Sequence, residues 1–311
     1  MLRRMLTLFL ALMLLPLAAC AEEAPAYEPL PLGGPAPYTA VEGALSEDGM
    51  SYDDGTLRVN IEKTTVDDVT VYYVYVTILD PSQLRTATAG NPLSKTTAPV
   101  YVMAERNNAV LAFNGDFYNY RSVGVIYRSG EKIRYNIKMG QDMLIVDNNG
   151  DLTVLEGPTN YSDNQKKKVD AALQAMAAGS GLKEVFSFGP ALIKDGERLT
   201  FKYAEKNSCG YPTPDERLVI CQMEDVDGCN QYLFIACDDP GLSVRRMTDL
   251  AEEKGALQAY NLDGGNSLSI YLCGNRINEL MTGKDGKVPR AVCDIIYFAT
   301  LVPSETVEEG E

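Results

Sequence analysis

Apolar and polar residues alternate in short runs along most of this chain, and glycine-containing turns separate the runs. Val69 to Leu79 is a β-branched and aromatic stretch that stops at Asp80-Pro81, which predicts a central strand. Ala109 to Phe113 predicts a shorter strand running directly into Asn114-Gly115-Asp116-Phe117. Hairpins are expected at Val125 to Ile133, Met143 to Leu155, Pro190 to Phe201, Leu218 to Ala236 and Ile270 to Ile277. Each carries a Gly beside Asn, Asp or Ser at its centre, where positive φ costs little. Asp147, Asn149 and Asp151 alternate as at the start of a calcium loop, but the loop glycine and closing Glu are misplaced, so a hairpin turn is expected.

Helical periodicity is confined to two segments. Asn164 to Ala178 is rich in Lys, Ala, Leu and Met, which are good helix formers. Ser243 to Lys254 sets Val244, Met247, Leu250 and Ala251 on one face, with Ser243 as N-cap and Gly255 as the stop. Together these predict an α+β fold, a hairpin-rich mixed β-sheet core with a few packed helices.

The two ends read differently. Arg3 and Arg4 precede an apolar run to Pro16, and Leu17-Ala18-Ala19-Cys20 closes it, as in an exported lipoprotein. Residues 1–19 are then a signal peptide, Cys20 is the lipidated residue, and residues 20–40, studded with proline, are a linker. Residues 41–104 would supply N-terminal strands or a small subdomain, residues 105–302 the main domain, and residues 303–311 an acidic tail. This places the protein in the bacterial cell envelope, outside the cytoplasm and held to the membrane by lipid.

Composition narrows the chemistry. The net charge is −15 over 311 residues. Removing the signal takes two arginines and no acids, leaving 26 minus 43, or −17. Nucleic acid is therefore not an expected partner, because phosphate-backbone binding needs a basic footprint. The absence of histidine rules out Ser-His-Asp triads, Cys-His pairs and His-ligated metals. With no tryptophan, any sugar stacking falls to the 18 Tyr and 8 Phe. Beyond Cys20, Cys209, Cys221, Cys229, Cys237, Cys273 and Cys293 lie in the last third with no C-x-x-C spacing, and bridges and buried thiols both remain open.

Four polar clusters sit where strands end or turn. They are Asn114 to Tyr118, Phe188 to Gly196, Arg217 through Asp238-Asp239, and Asn261 to Ser267 followed by Pro289-Arg290. Singly, each reads as a turn or a surface pair; together they supply carboxylates, amides and two arginines for binding an anion and moving a proton.

These segments, in this order, resemble the phosphodiester glycosidase family. The resemblance rests on Asn114 to Tyr118, Gly189-Pro190-Ala191-Leu192, Glu216-Arg217-Leu218, Cys237-Asp238-Asp239, Gly241-Leu242-Ser243, Asn261 to Ser267 and Pro289-Arg290-Ala291-Val292. It spans roughly residues 105 to 300. Three sites depart from the family wording. Arg217 lacks the flanking Pro and Thr, Asp239 and Pro240 stand for Gly and Arg, and Asn266 stands for a third Gly. The resemblance implies a hydrolase that cuts a sugar from a sugar-1-phosphodiester or phosphorylated glycan. Asp263 and Asp116 would be catalytic carboxylates. Arg217 and Arg290, with Gly264 and Gly265, would hold phosphate, and Asn114, Asp238, Asn261, Asn266 and Ser267 would contact substrate. Asp116 or Asp263, with nearby carbonyls, could hold a divalent cation, calcium or magnesium, since hard oxygen ligands are the kind on offer. Two alternatives use the same residues: a glycan-binding lipoprotein without activity, and a metal-assisted phosphodiesterase.

Overall fold

In a computed structural model that describes residues 27–200, 213–279 and 290–303, the chain first forms β1 (Ser51–Asp53), β2 (Leu57–Val66) and β3 (Val69–Ile78), the expected central strand. Then come β4 (Leu84–Thr88), helix α1 (Val100–Arg106) and β5 (Leu111–Asn114). The hairpins β6 (Gly124–Arg128) with β7 (Glu131–Asn136), and β8 (Met143–Val146) with β9 (Leu152–Leu155), fall where their turns predict. After helix α2 (Asp163–Ala178) come β10 (Glu184–Phe186), β11 (Ala191–Lys194) and β12 (Glu197–Arg198). The remaining elements are β13 (Asp215–Gln222), β14 (Asn230–Leu242), α3 (Val244–Glu253), β15 (Gln258–Leu262), β16 (Ile270–Leu272), β17 (Asn275–Arg276) and β18 (Asp294–Phe298).

An eight-stranded sheet runs β1-β2-β3-β14-β13-β15-β11-β12, a second β17-β16-β5-β18-β4, and a third β7-β6-β10-β8-β9. The architecture is α+β. The main core lies between the inner face of the large sheet (Tyr72, Val74, Leu218, Ile220, Phe234, Tyr260) and side chains of the other two, among them Phe113, Ile270, Phe298 and Leu144. Phe113 stacks on Phe234 with ring centroids 3.9 Å apart. Burying such rings removes large apolar areas from water, at about 25 cal/mol per Å².

Helix α3 covers the outer face of the large sheet with Val244, Met247, Leu250 and Ala251, the face its periodicity predicts. The Ser243 hydroxyl accepts the Arg246 N–H at 3.2 Å, the expected N-cap. Val169 and Leu173 of α2 are buried with residues of the third sheet. Helix α1 is not among the two helices that the periodicity predicts, because β-branched Val100 and Val102 and aromatic Tyr101 favour strand locally. It forms after Pro99, with Val100, Met103 and Ala104 packed in a cluster with Ile295 and Tyr297 of the second sheet.

From Tyr27 onward the proline-rich stretch, read as a linker, packs on the fold instead. Leu30 and Ala36 are buried in the cluster around Tyr297, and Arg85 donates to the carbonyls of Gly33 and Gly34. Its few apolar side chains find a niche, and a buried arginine satisfies its backbone. The signal, Cys20, Cys209 and the tail beyond Pro303 lie outside the described residues. Cys221, Cys229, Cys237, Cys273 and Cys293 are all free thiols.

Candidate active site

Strand register brings the polar clusters to one end of the sheets. β5 ends at Asn114, which pairs with Ile295 near the start of β18, and Phe113 pairs with Ile270, which starts β16. β15 ends at Leu262 opposite Leu218 of β13, whose neighbour Arg217 pairs with Cys237 of β14. The loops after β5 and β15, and the bend of β14, therefore meet.

Asn114, fully buried, fastens two of these loops. Its Nδ2 donates to the Asp263 carbonyl at 2.7 Å and its Oδ1 accepts the Ser269 N–H at 3.1 Å. Asp116 is buried and committed to its surroundings. One oxygen accepts the Phe117 N–H at 2.6 Å, the other the Ser187 N–H at 2.8 Å. Behind it, Arg128 holds Asp294 through Nε at 2.8 Å and lies 3.9 Å from Asp116. Burial raises the Asp294 carboxyl above its ordinary range, opposed by Arg128.

Asp263 differs from Asp116. Its Oδ1 accepts the Gly264 N–H at 3.1 Å, while its Oδ2 is buried without a hydrogen-bond partner. Burial pushes this carboxyl up to about 6; the nearby Ser267 hydroxyl and Arg290 pull it down, and the Asp116 charge adds to the rise. Such a group changes charge near neutrality, as proton-transfer chemistry needs. Arg290 is exposed, its guanidinium 5.3 Å from the Phe117 ring centroid. Phe117 stacks on exposed Tyr120 at 4.4 Å, giving an aromatic step beside the carboxylate.

The loop between Asp263 and Ser267 is shaped by close backbone approach. A Cβ on Gly264 would stand 2.3 Å from the Glu216 carbonyl oxygen, and Gly265 adopts φ +57. Asn266 is exposed and Ser267 buried. Asn261 sits apart from Asp263. Its Nδ2 donates to the Gly189 carbonyl at 2.9 Å, tying β15 to the Gly189-Pro190 turn.

Arg217 is not gathered with Arg290. Strand alternation puts it on the face of Val219 and Cys221, toward α3, where its Nη2 donates to the Thr213 carbonyl at 2.9 Å. The neighbouring Glu216, not singled out from sequence, takes the inner face with Leu218 and Ile220. There its carboxyl is pushed up to about 7 by burial first, then by Asp238, Asp215 and Asp239. Its two-residue spacing from Leu218 is the signal in the sequence that marks its face. Asp238 accepts the Tyr72 hydroxyl at 2.8 Å.

Among the described residues, no three Asp, Glu or Cys side chains converge in a way that would hold a metal ion. Each Asp116 oxygen accepts one N–H and keeps an acceptor site, so a cation on Asp116 or Asp263 would take its other ligands from backbone carbonyls or water.

The phosphodiester glycosidase family matches residues 107–299 of the chain. The fold is similar to a zebrafish N-acetylglucosamine-1-phosphodiester alpha-N-acetylglucosaminidase catalytic domain, auto-inhibited by its pro-peptide. The TM-score is 0.60 at 16% identity, covering 85% of this chain and 87% of that one. A hypothetical protein from Synechocystis is less similar, with TM-score 0.49 and 16% identity over 78% of this chain and 62% of that one. No curated protein matches. By the extent of the family match, the chain belongs to the phosphodiester glycosidase family.

Proposed function

We propose that this protein is an exported, membrane-tethered hydrolase of envelope or exopolysaccharide material that splits the bond between an anomeric carbon and a phosphodiester. The observation that carries the reading is Asp263. It is an enclosed carboxyl with an unpartnered oxygen, poised near pH 6, beside an exposed arginine and an aromatic step. The tether rests on the sequence up to Cys20 alone.

The chemistry follows from the charges. As the C1–O bond breaks, the sugar becomes oxocarbenium-like and the phosphate leaves carrying the bonding electrons. A phosphate monoester is a good leaving group, so it needs a cation rather than a strong acid. Arg290 supplies that cation, and the backbone N–H of Gly265 assists. Asp263, ionised, acts at the anomeric carbon, and water supplies the sugar's new hydroxyl. Asp116, fixed by two N–H bonds, adds negative potential that favours the oxocarbenium. Tyr120 and Phe117 offer a surface for the sugar ring. The zebrafish enzyme's name describes the same bond, which supports this reading of a shared family.

The test is sugar release from a panel of sugar-1-phosphodiesters by the mature chain and by Asp263→Asn. Free sugar from the parent, and about 10³-fold less from the variant, is expected. Sugar phosphate as product would instead indicate cleavage of the P–O bond. No turnover by a correctly folded parent would favour a glycan-binding lipoprotein.

A further inference from the structure

Opposite Glu216, strand β14 bulges. Arg217 pairs with Cys237 and Asp215 with Leu242, so four residues, Asp238 to Gly241, face the single residue Glu216. The bulge is tight against β13, since a Cβ on Gly241 would stand 2.0 Å from the Asp215 carbonyl oxygen. It brings two enclosed carboxyls together. Glu216 is 2% exposed and its Oε2 has no hydrogen-bond partner; Asp238 is 5% exposed and its Oδ1 has none. The other Asp238 oxygen takes the Tyr72 hydroxyl and the Glu279 N–H, with the Asn278 amide alongside. Asp215, Asp239 and Glu279 add further negative charge, and among the described residues no Lys or Arg ion-pairs with either carboxyl.

Buried acceptors left open in this way cost free energy unless a shared proton or a donor from a ligand meets them. A metal ion is a poor occupant, because calcium needs six to eight oxygens and no three acidic side chains converge here among the described residues. A hydroxyl brings one proton and no charge. A primary ammonium brings three donors, no acceptor and a positive charge that no described residue supplies by an ion pair to either carboxyl.

We infer that Glu216 and Asp238 form an ammonium-binding subsite, so that the phosphodiester taken by this chain carries a free primary amine. The inference deepens the proposed function and rests on it for the phosphodiester frame. The amine belongs either to an amino sugar or to an aminoalkyl group on the far side of the phosphate. Both present the same ammonium.

Calorimetric titration of the full mature chain in detergent, carrying Asp263→Asn to prevent turnover, tests this. The probes are glucosamine 1-(methyl phosphate), glucose 1-(2-aminoethyl phosphate) and glucose 1-(methyl phosphate). One of the two amine probes should bind at least about tenfold tighter than the amine-free probe, and which one does so identifies the source. Added Glu216→Gln or Asp238→Asn should each abolish that advantage; both are near-isosteric, and melting curves verify folding. Equal affinities, no measurable binding of either amine probe, or an advantage surviving both substitutions overturns the inference. So does calcium binding that Glu216→Gln removes. The two proposals fail separately. An amine preference without sugar release by the parent retains the subsite and removes the hydrolase. Equal sugar release from all three probes does the reverse.

Discussion

Asp263 illustrates what a poised side chain costs. Its pKa of about 6 against an ordinary 3.8 means that the folded chain binds a proton more tightly than the unfolded chain. A folded-state pKa raised in this way leaves stability untouched below pH 4. It subtracts increasingly as pH rises through 6, where the folded protein must ionise a buried carboxyl. The difference, 6 minus 3.8, is about two units, or about 3 kcal/mol at pH 8. Asp263→Asn should therefore melt higher than the parent by several degrees at pH 8 and about equally at pH 4. Melting curves at the two pH values check this, and an unchanged difference across that range would contradict it. Glu216, raised to about 7 chiefly by burial, acts in the same direction. Arg290, exposed and resting on Phe117, contributes little to packing, so Arg290→Gln should leave melting unchanged at pH 4, where Asp263 is protonated. Loss of a charge-assisted contact to phosphate should lower kcat/KM about 10 to 100-fold, measured on whichever panel substrate turns over.

At the scale of elements, the turn after β15 is held by contacts rather than by its own conformation. Gly264 has φ −133, which any residue adopts, yet a Cβ there would meet the Glu216 carbonyl at 2.3 Å. Gly264→Ala should push the loop off β13, displace Asp263, and reduce sugar release at least about 100-fold, while steady melting shows the fold intact. A variant with full activity would mean the loop has slack. The elements themselves were largely legible: Asp-Gly, Asn-Gly and Ser-Gly turns located the hairpins, and Ser243 with its apolar face located α3. Helix α1 was hidden because Val100 to Val102 favour strand locally, and packing beside Ile295 and Tyr297 overrides that preference. In the site, Asn114 and Asp263 were legible as polar residues at strand ends, with glycines beside them. Glu216 was not, because it adjoins Arg217 and only the inner-outer alternation of β13 separates the two.

At the scale of the whole molecule, hairpins are local and readable, but the sheet order is not. β3 pairs with β14 and β5 with β16 and β18, contacts between segments far apart in sequence that no turn residue encodes. The same long-range pairing assembles the site, since Asn114, Asp263 and Arg290 come from three distant stretches. Burial decided the fate of the N-terminal stretch as well, where Leu30 and Ala36 outweigh the extended preference of their prolines. In the proposed reaction the attack falls on carbon rather than on phosphorus. Hydrolysis of a sugar-1-phosphodiester in water enriched in oxygen-18, followed by mass spectrometry of both products, tests it most directly. The label should appear in the free sugar, with the phosphate product unlabelled. Label in the phosphate would place the attack on phosphorus and contradict the account.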